Sequence, residues 1–135
     1  MTEIAEKWNE PAIRVLMMPR DTNAHGTIFG GVILSYIDQA GAIEARRQGS
    51  RFMVTVSMDK IVFHEPVFVG DLVSFWTETL RIGTTSITVK VICEAIRGND
   101  LTKKVVVTEA QVVYVNVGDD RKPKPITREA NAFSE

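Results

Sequence analysis

The 135-residue sequence predicts an α+β domain in which one antiparallel β-sheet curls around a single long helix. Three observations carry this expectation. Residues 29–47 are apolar around nearly the whole helical circumference, the pattern of a helix buried on most sides. Four strand-like runs follow it, separated by turn signals at Gly70-Asp71, Gly83-Thr84 and Gly98-Asn99-Asp100. The lengths also agree. At ~1.5 Å per residue the helix spans roughly 28 Å, and a ten-residue strand at ~3.3 Å per residue spans roughly 33 Å.

Taken in order, Ala12–Met18 is a short apolar stretch that reads as an edge or swapped strand, ended by Pro19. A loop rich in turn formers, RDTNAHGT, follows it. The helix over Phe29–Arg47 carries Val32, Ile33, Leu34, Tyr36, Ile37 and Ile43, interrupted by Ser35, Asp38, Gln39 and Glu44. Arg46 and Arg47 suit the negative end of its dipole, and Gly49 stops it. The strands are Met53–Phe63, Leu72–Arg81, Ser86–Ile96 and Lys104–Val117. In the third, Ile87, Val89, Val91 and Cys93 alternate with Thr88, Lys90 and Glu94, placing the first set on one face. Consecutive strands joined by short turns are expected to pair antiparallel. The sheet cannot close around one helix, so an open edge is expected to pair with a second copy.

Composition narrows the class. One domain covers residues 1–135, with a core over about 12–117 and a charged, proline-bearing tail after Gly118 expected to be loosely ordered. The formal net charge of -1 argues against a general nucleic-acid binder. The single cysteine, Cys93, excludes an internal disulfide and reads as a small core residue in a reducing compartment. No run approaches the roughly 18 apolar residues of a membrane span, and MTEIAEKWNE is too polar for a signal peptide. The expectation is a soluble, cytoplasmic protein with no membrane partner.

Many constellations are missing: no GxSxG elbow, no GxxxxGK loop, no GxGxxG, and no zinc spacing around His25 and His64. No metal is expected. The informative segment is Asp21–Ala42. Asp38 lies mid-helix among apolar side chains, where an ionised carboxylate needs a partner. It reads either as a structural group, capping strand amides or pairing with an arginine, or as a base in a dry cleft. Ser35 and Gln39 are near enough on the helix to orient it. Glu44 reads as solvated or paired with Arg47. Gly30-Gly31 opens the helix and leaves amides bare at its positive end, which suits an oxyanion or only a tight turn. Asn23 reads as a turn residue or as a group fixing a water or carbonyl. Gly41 reads as a point where another backbone approaches closely, within the chain or between protomers. Gly31 and Asp38 are seven residues apart, roughly 10 Å along the axis. A site made from the helix mouth of one subunit and Asp38 of another avoids that span.

Pro19-Arg20-Asp21-Thr22-Asn23, Gly26, Ile28-Phe29-Gly30-Gly31, Ile37-Asp38 and Ala40-Gly41-Ala42 resemble the acyl-CoA thioester hydrolases of the YciA and brain acyl-CoA hydrolase type. So do Val54-Thr55-Val56-Ser57-Met58-Asp59, Phe63, Pro66-Val67, Val69-Gly70-Asp71, Thr85-Ser86-Ile87 and Val107-Thr108-Glu109-Ala110. The resemblance covers roughly residues 13–126. It implies a hotdog fold, hydrolysis of acyl-CoA to free acid and CoA, and dimers assembled as trimers of dimers. No cofactor is implied beyond the coenzyme A of the substrate. It implies a catalytic role for Asp38 and for Asn23 from the other subunit, with Phe29, Gly30 and Gly31 around the thioester carbonyl. The hairpin near CoA is commonly Gly-Arg-Thr-Ser; here it is Gly83-Thr84-Thr85-Ser86. Phosphate contacts would pass to Thr84, Thr85, Ser86, Arg81 or Lys60, or to Lys122 and Lys124. Tyr36, Met58 and Phe63 are candidates to limit the acyl chain. Two alternatives stand beside hydrolysis. One is a hydroxyacyl thioester dehydratase, which needs a His–acid couple and for which His25 is the nearby candidate. The other is a non-catalytic acyl-CoA-binding module.

Overall fold

The computed structural model describes residues 8–127. In chain order they form β1 (Ile13–Leu16), a 3-10 turn (Pro19–Asp21), α1 (Gly30–Arg47), β2 (Met53–Phe63), β3 (Leu72–Ile82), β4 (Ser86–Arg97) and β5 (Asp100–Asn116). The strands make one sheet in the order β1-β3-β4-β5-β2, every pair antiparallel. The expected pairing of consecutive strands holds for β3–β4 and β4–β5 but not for β2–β3. β2 crosses to the far side and pairs with β5, so that β4 and β5 lie between it and β3.

β4 sits at the centre and alternates without a break. Ile87, Val89, Val91, Cys93 and Ala95 are all fully buried, against Ile33, Ile37, Ala40 and Ala45 of α1. Each large aliphatic side chain buried this way stabilises by about 1.5–3 kcal/mol. α1 is not buried all round within one chain. Its buried positions are Ile33, Ile37, Ala40, Gly41, Glu44 and Ala45, a stripe at i, i+4, i+7, i+8, i+11 and i+12. Ile43 is exposed. Gly49, at φ +106°, ends the helix as expected.

β2 lies at an open edge of the sheet. Two register shifts interrupt its pairing with β5, between Thr55 and Ser57 and between Asp59 and Val62. They matter for the site. Thr55 pairs with Tyr114, Met58 with Val112 and Phe63 with Thr108, and all three partners are buried. Spacings of three and five would send alternate side chains to opposite faces of a regular strand. The bulges, with Lys60 at φ +52° in one of them, keep Thr55, Met58 and Phe63 on the helix side.

Two buried polar clusters pin the ends of the sheet. Arg97 donates to Asp71 at 2.6 Å and to the Pro66 carbonyl at 2.9 Å, while the Phe68 and Gly98 amides donate to the same carboxylate. Glu44, expected to be solvated or paired with Arg47, takes the second course and is buried. It accepts from Thr79 at 2.6 Å, Thr77 at 3.1 Å and Gln48 at 3.3 Å, and pairs with Arg47 at 3.5 Å. Residues 118–127 are not loose. The Lys124 amide donates to Asn116 and the Ile126 amide to Thr84, laying the tail along the β3–β4 hairpin. Residues 128–135 lie outside the described residues.

Candidate active site

Asp38 projects from the middle of α1 towards β2 and β5 and is half-buried. Neither an arginine nor a strand amide satisfies it among the described residues. Two hydroxyls do. Thr55 Oγ1 donates to Asp38 Oδ1 at 2.9 Å, and the Tyr114 hydroxyl lies 3.1 Å from the same oxygen and 2.6 Å from the Asp38 carbonyl. Ser35 and Gln39, expected to orient Asp38, bond one another instead, Gln39 Nε2 donating to Ser35 Oγ at 3.3 Å. Burial, and secondarily the Asp38 charge, push the Tyr114 hydroxyl well above its ordinary range. Tyr114 therefore stays a proton donor to Asp38 throughout the physiological range.

Gly41 explains how Tyr114 reaches the helix. A Cβ there would collide with the Tyr114 hydroxyl and ring. The close approach expected at Gly41 is real, but it is made by a side chain from β5, inside one subunit. Thr55 and Tyr114 are the functional residues that sequence reasoning missed. The available signal was weak, since β2 also carries Ser57 and β5 also carries Thr102 and Thr108.

The helix mouth lies eight residues away. Gly30 and Gly31 begin α1, with exposed Phe29 as N-cap. Their amides belong to the first turn and have no intrahelical acceptor. Nothing stands within 4 Å of a Cβ built at Gly31, while one built at Gly30 would lie 3.4 Å from the Phe63 ring. A cavity of about 240 Å³ opens here, lined by Thr27, Ile28, Gly30, Ile33, Phe63 and Thr108 among others. Asn23 holds the preceding loop: its Nδ2 donates to Thr27 Oγ1 at 2.8 Å, and its Oδ1 accepts from the His25 and Thr27 amides. Within one subunit Asn23 is thus the turn residue of its first reading.

Along β2, Gly30 stands at the Phe63 end and Asp38 at the Thr55 end. One subunit therefore does not bring the helix mouth and the carboxylate together, as their spacing predicted.

Of the CoA candidates, exposed Arg81 and Thr84 and half-buried Thr85 and Ser86 share the β3–β4 hairpin, and the tail bearing Lys122 and Lys124 lies against it. Lys60 does not join them. Ser86 pairs with Val115, whereas Asp59 beside Lys60 pairs with Gln111, four positions or roughly 13 Å away along β5.

His25 is exposed in the loop, and no acid pairs with it among the described residues. Among the described residues the His–acid couple is formed by His64 Nε2 with Glu109 Oε2 at 2.8 Å, and not by His25. Glu109 pairs with Ile92, between the inward Val91 and Cys93, so this couple sits on the outer face of the sheet. His64 itself also borders the helix-mouth cavity, beside Phe63 and Glu65. Burial pushes the Cys93 thiol far above its ordinary value, leaving an inert core residue. No group of three or more His, Cys, Asp or Glu suited to a metal occurs among the described residues. None of their helices is long and apolar enough to cross a membrane.

Comparisons with known proteins agree with this fold. The model of the thioesterase superfamily matches residues 25–102. Acyl-CoA thioester hydrolase YciA of Salmonella typhimurium is 39% identical over 119 residues, covering 87% of this chain and 90% of its own. A hexameric hotdog fold thioesterase of Campylobacter jejuni superposes with a TM-score of 0.82 at 47% identity, covering 88% of this chain and 91% of its own. A hexameric broad specificity acyl-coenzyme A thioesterase superposes at 0.83 with 34% identity, covering 94% and 87%. The α+β architecture read from the sequence is therefore the hotdog fold, and the chain belongs to the thioesterase superfamily, alongside its acyl-CoA thioester hydrolases.

Proposed function

We propose that this protein hydrolyses acyl-CoA to free acid and CoA, at a site shared between two copies of the chain. The observation that carries the reading is Asp38: a mid-helix carboxylate held by Thr55 and Tyr114 yet still reachable from solvent.

The open edge of β2 supplies the geometry of sharing. Its exposed residues include Val54, Val56, Ile61, Val62 and Phe63, an apolar edge of the kind that pairs with another strand. Antiparallel pairing of two β2 strands about Met58, the midpoint of Met53–Phe63, sets the Phe63 end of one against the Met53 end of the other. Gly30 and Gly31 of one subunit then face Asp38 of the partner subunit. Assembly of three such dimers accords with the hexamers of the structural relatives.

In this site the thioester carbonyl accepts from the Gly30 and Gly31 amides, which stabilise the oxyanion. Asp38 of the partner subunit takes a proton from water, the hydroxide adds to the carbonyl carbon, and the C–S bond breaks. The departing CoA thiolate receives the proton. Direct attack by Asp38, giving a mixed anhydride that water opens, reaches the same products. Thr55 and Tyr114 position the carboxylate in either route. Asn23 holds the loop before the helix mouth and orients the carbonyl or water. Arg81, Thr84, Thr85 and Ser86, with Lys122 and Lys124, form the end of the sheet that receives the CoA phosphates. No cofactor is required by these steps.

Thiol release from short-, medium- and long-chain acyl-CoAs, measured for wild type and Asp38→Asn, tests the reading. Wild type is expected to turn over at least one, and Asp38→Asn to lose about 10²-fold or more while remaining folded and oligomeric. Absence of thiol release from every acyl-CoA would overturn it in favour of a binding module.

A further inference from the structure

Thr108 is 1% exposed, and its hydroxyl has no hydrogen-bond partner among the described residues. It stands opposite Phe63 in the β2–β5 register and opposite Cys93 in the β4–β5 register. Cys93 is fully buried on the inner face, so Thr108 faces the helix side. There it lines the same 240 Å³ cavity as Gly30. The rest of that wall is mostly apolar, with Ile28, Ile33, Phe63, Pro66 and Val67, and Thr27, His64 and Glu65 complete it. A buried hydroxyl among such groups is unfavourable until something bonds it. The cavity thus sets the helix-mouth amides and an unsatisfied hydroxyl in one space, alongside Thr27, His64 and Glu65.

We propose that this cavity selects short acyl groups carrying a hydroxyl or oxo oxygen a few carbons from the thioester, with Thr108 as the specificity-determining residue. The inference rests on the hydrolase reading above and names its substrate class. With the thioester carbonyl on the Gly30 and Gly31 amides, the acyl group enters the cavity that Thr108 lines. A plain alkyl chain fills the space but leaves the Thr108 hydroxyl unpaired. A hydroxyacyl or oxoacyl chain supplies the missing partner, since a threonine hydroxyl both donates and accepts. Discrimination arises because a site with a buried polar group disfavours the analogue that cannot bond it.

The test compares kcat/KM for butyryl-CoA, 3-hydroxybutyryl-CoA (both enantiomers), 4-hydroxybutyryl-CoA and acetoacetyl-CoA, using wild type, Thr108→Val and Thr108→Ser. Valine keeps the shape and removes the hydroxyl; serine keeps the hydroxyl. Wild type is expected to favour at least one oxygenated substrate over butyryl-CoA by about tenfold, Thr108→Val to lose that preference, and Thr108→Ser to retain it. Equal or better turnover of butyryl-CoA by wild type overturns the proposal, as does a preference that survives in Thr108→Val. If Thr108→Val does not fold, the wild-type comparison alone decides. If no substrate is cleaved, the hydrolase reading fails separately. Calorimetric binding of the same acyl-CoAs to wild type and Thr108→Ser then decides the selectivity: equal affinities overturn it, and tighter binding of an oxygenated acyl group upholds it.

Discussion

A Cβ at position 41 would meet the Tyr114 hydroxyl and ring, and Tyr114 is the side chain that bonds both the Asp38 carbonyl and its carboxylate. The absence of one methyl group thus sets where the Asp38 carboxylate points. Gly41→Ala is expected to destabilise by about 1–3 kcal/mol through overpacking, read as a lowered denaturation midpoint, and to reduce thioester hydrolysis by displacing Tyr114. Tyr114 also predicts a pH dependence. Burial raises its folded pKa above the ordinary 10.0, so its contribution to stability is full below pH 10.0 and declines as pH rises above it, where the unfolded chain releases the proton and the folded one holds it. Cys93 acts in the same direction from its ordinary 9.0. Tyr114→Phe is expected to lose stability less steeply above pH 10.0 than wild type, in chemical denaturation series across that range.

At the scale of elements, the two bulges of β2 decide which side chains meet the helix. Without them Thr55, Met58 and Phe63 would not share a face. The turn region that carries β3 into the sheet depends on the Asp71–Arg97 pair, both side chains below 10% exposed. Arg97→Ala leaves a buried carboxylate without its charge partner and is expected to cost about 3–5 kcal/mol. A fall smaller than about 1 kcal/mol in equilibrium denaturation would show the pair to be dispensable. Element positions were mostly legible beforehand. The helix begins one residue later than expected, and β5 begins at Asp100 rather than Lys104. Hydrophobic periodicity does not mark the ends of a hairpin whose tip residues are solvated, which is why β5 was read short.

For the whole molecule, the apolar edge of β2 is the feature that a single chain leaves unresolved. Val56 is 58% exposed on that edge. Val56→Lys is expected to block strand pairing by placing a charge there. The predicted outcome is a shift from an oligomer of 15.0 kDa chains towards the monomer in light scattering, with loss of hydrolysis. Retention of full activity in a monomer would show that the site is complete within one chain. The separation of Gly30 from Asp38 along β2 is why activity and assembly are expected to fall together.

The sequence by itself determined the fold class, because an apolar helix followed by turn-punctuated strands has few ways to bury its surface. It also singled out Asp38, a charge where an apolar residue would be cheaper, and the Gly30-Gly31 mouth. Only the tertiary structure decided what surrounds them. Thr55 lies 17 residues from Asp38 and Tyr114 lies 76, and neither spacing leaves a local periodic trace. Likewise, Lys60 and the Thr84–Ser86 hairpin are separated by strand register, and Thr108 meets Gly30 across a cavity, because β2 pairs with β5 rather than with its neighbour in sequence. Local pattern specifies which face of an element is apolar; which element lies against that face follows from the pairing of strands distant in the chain.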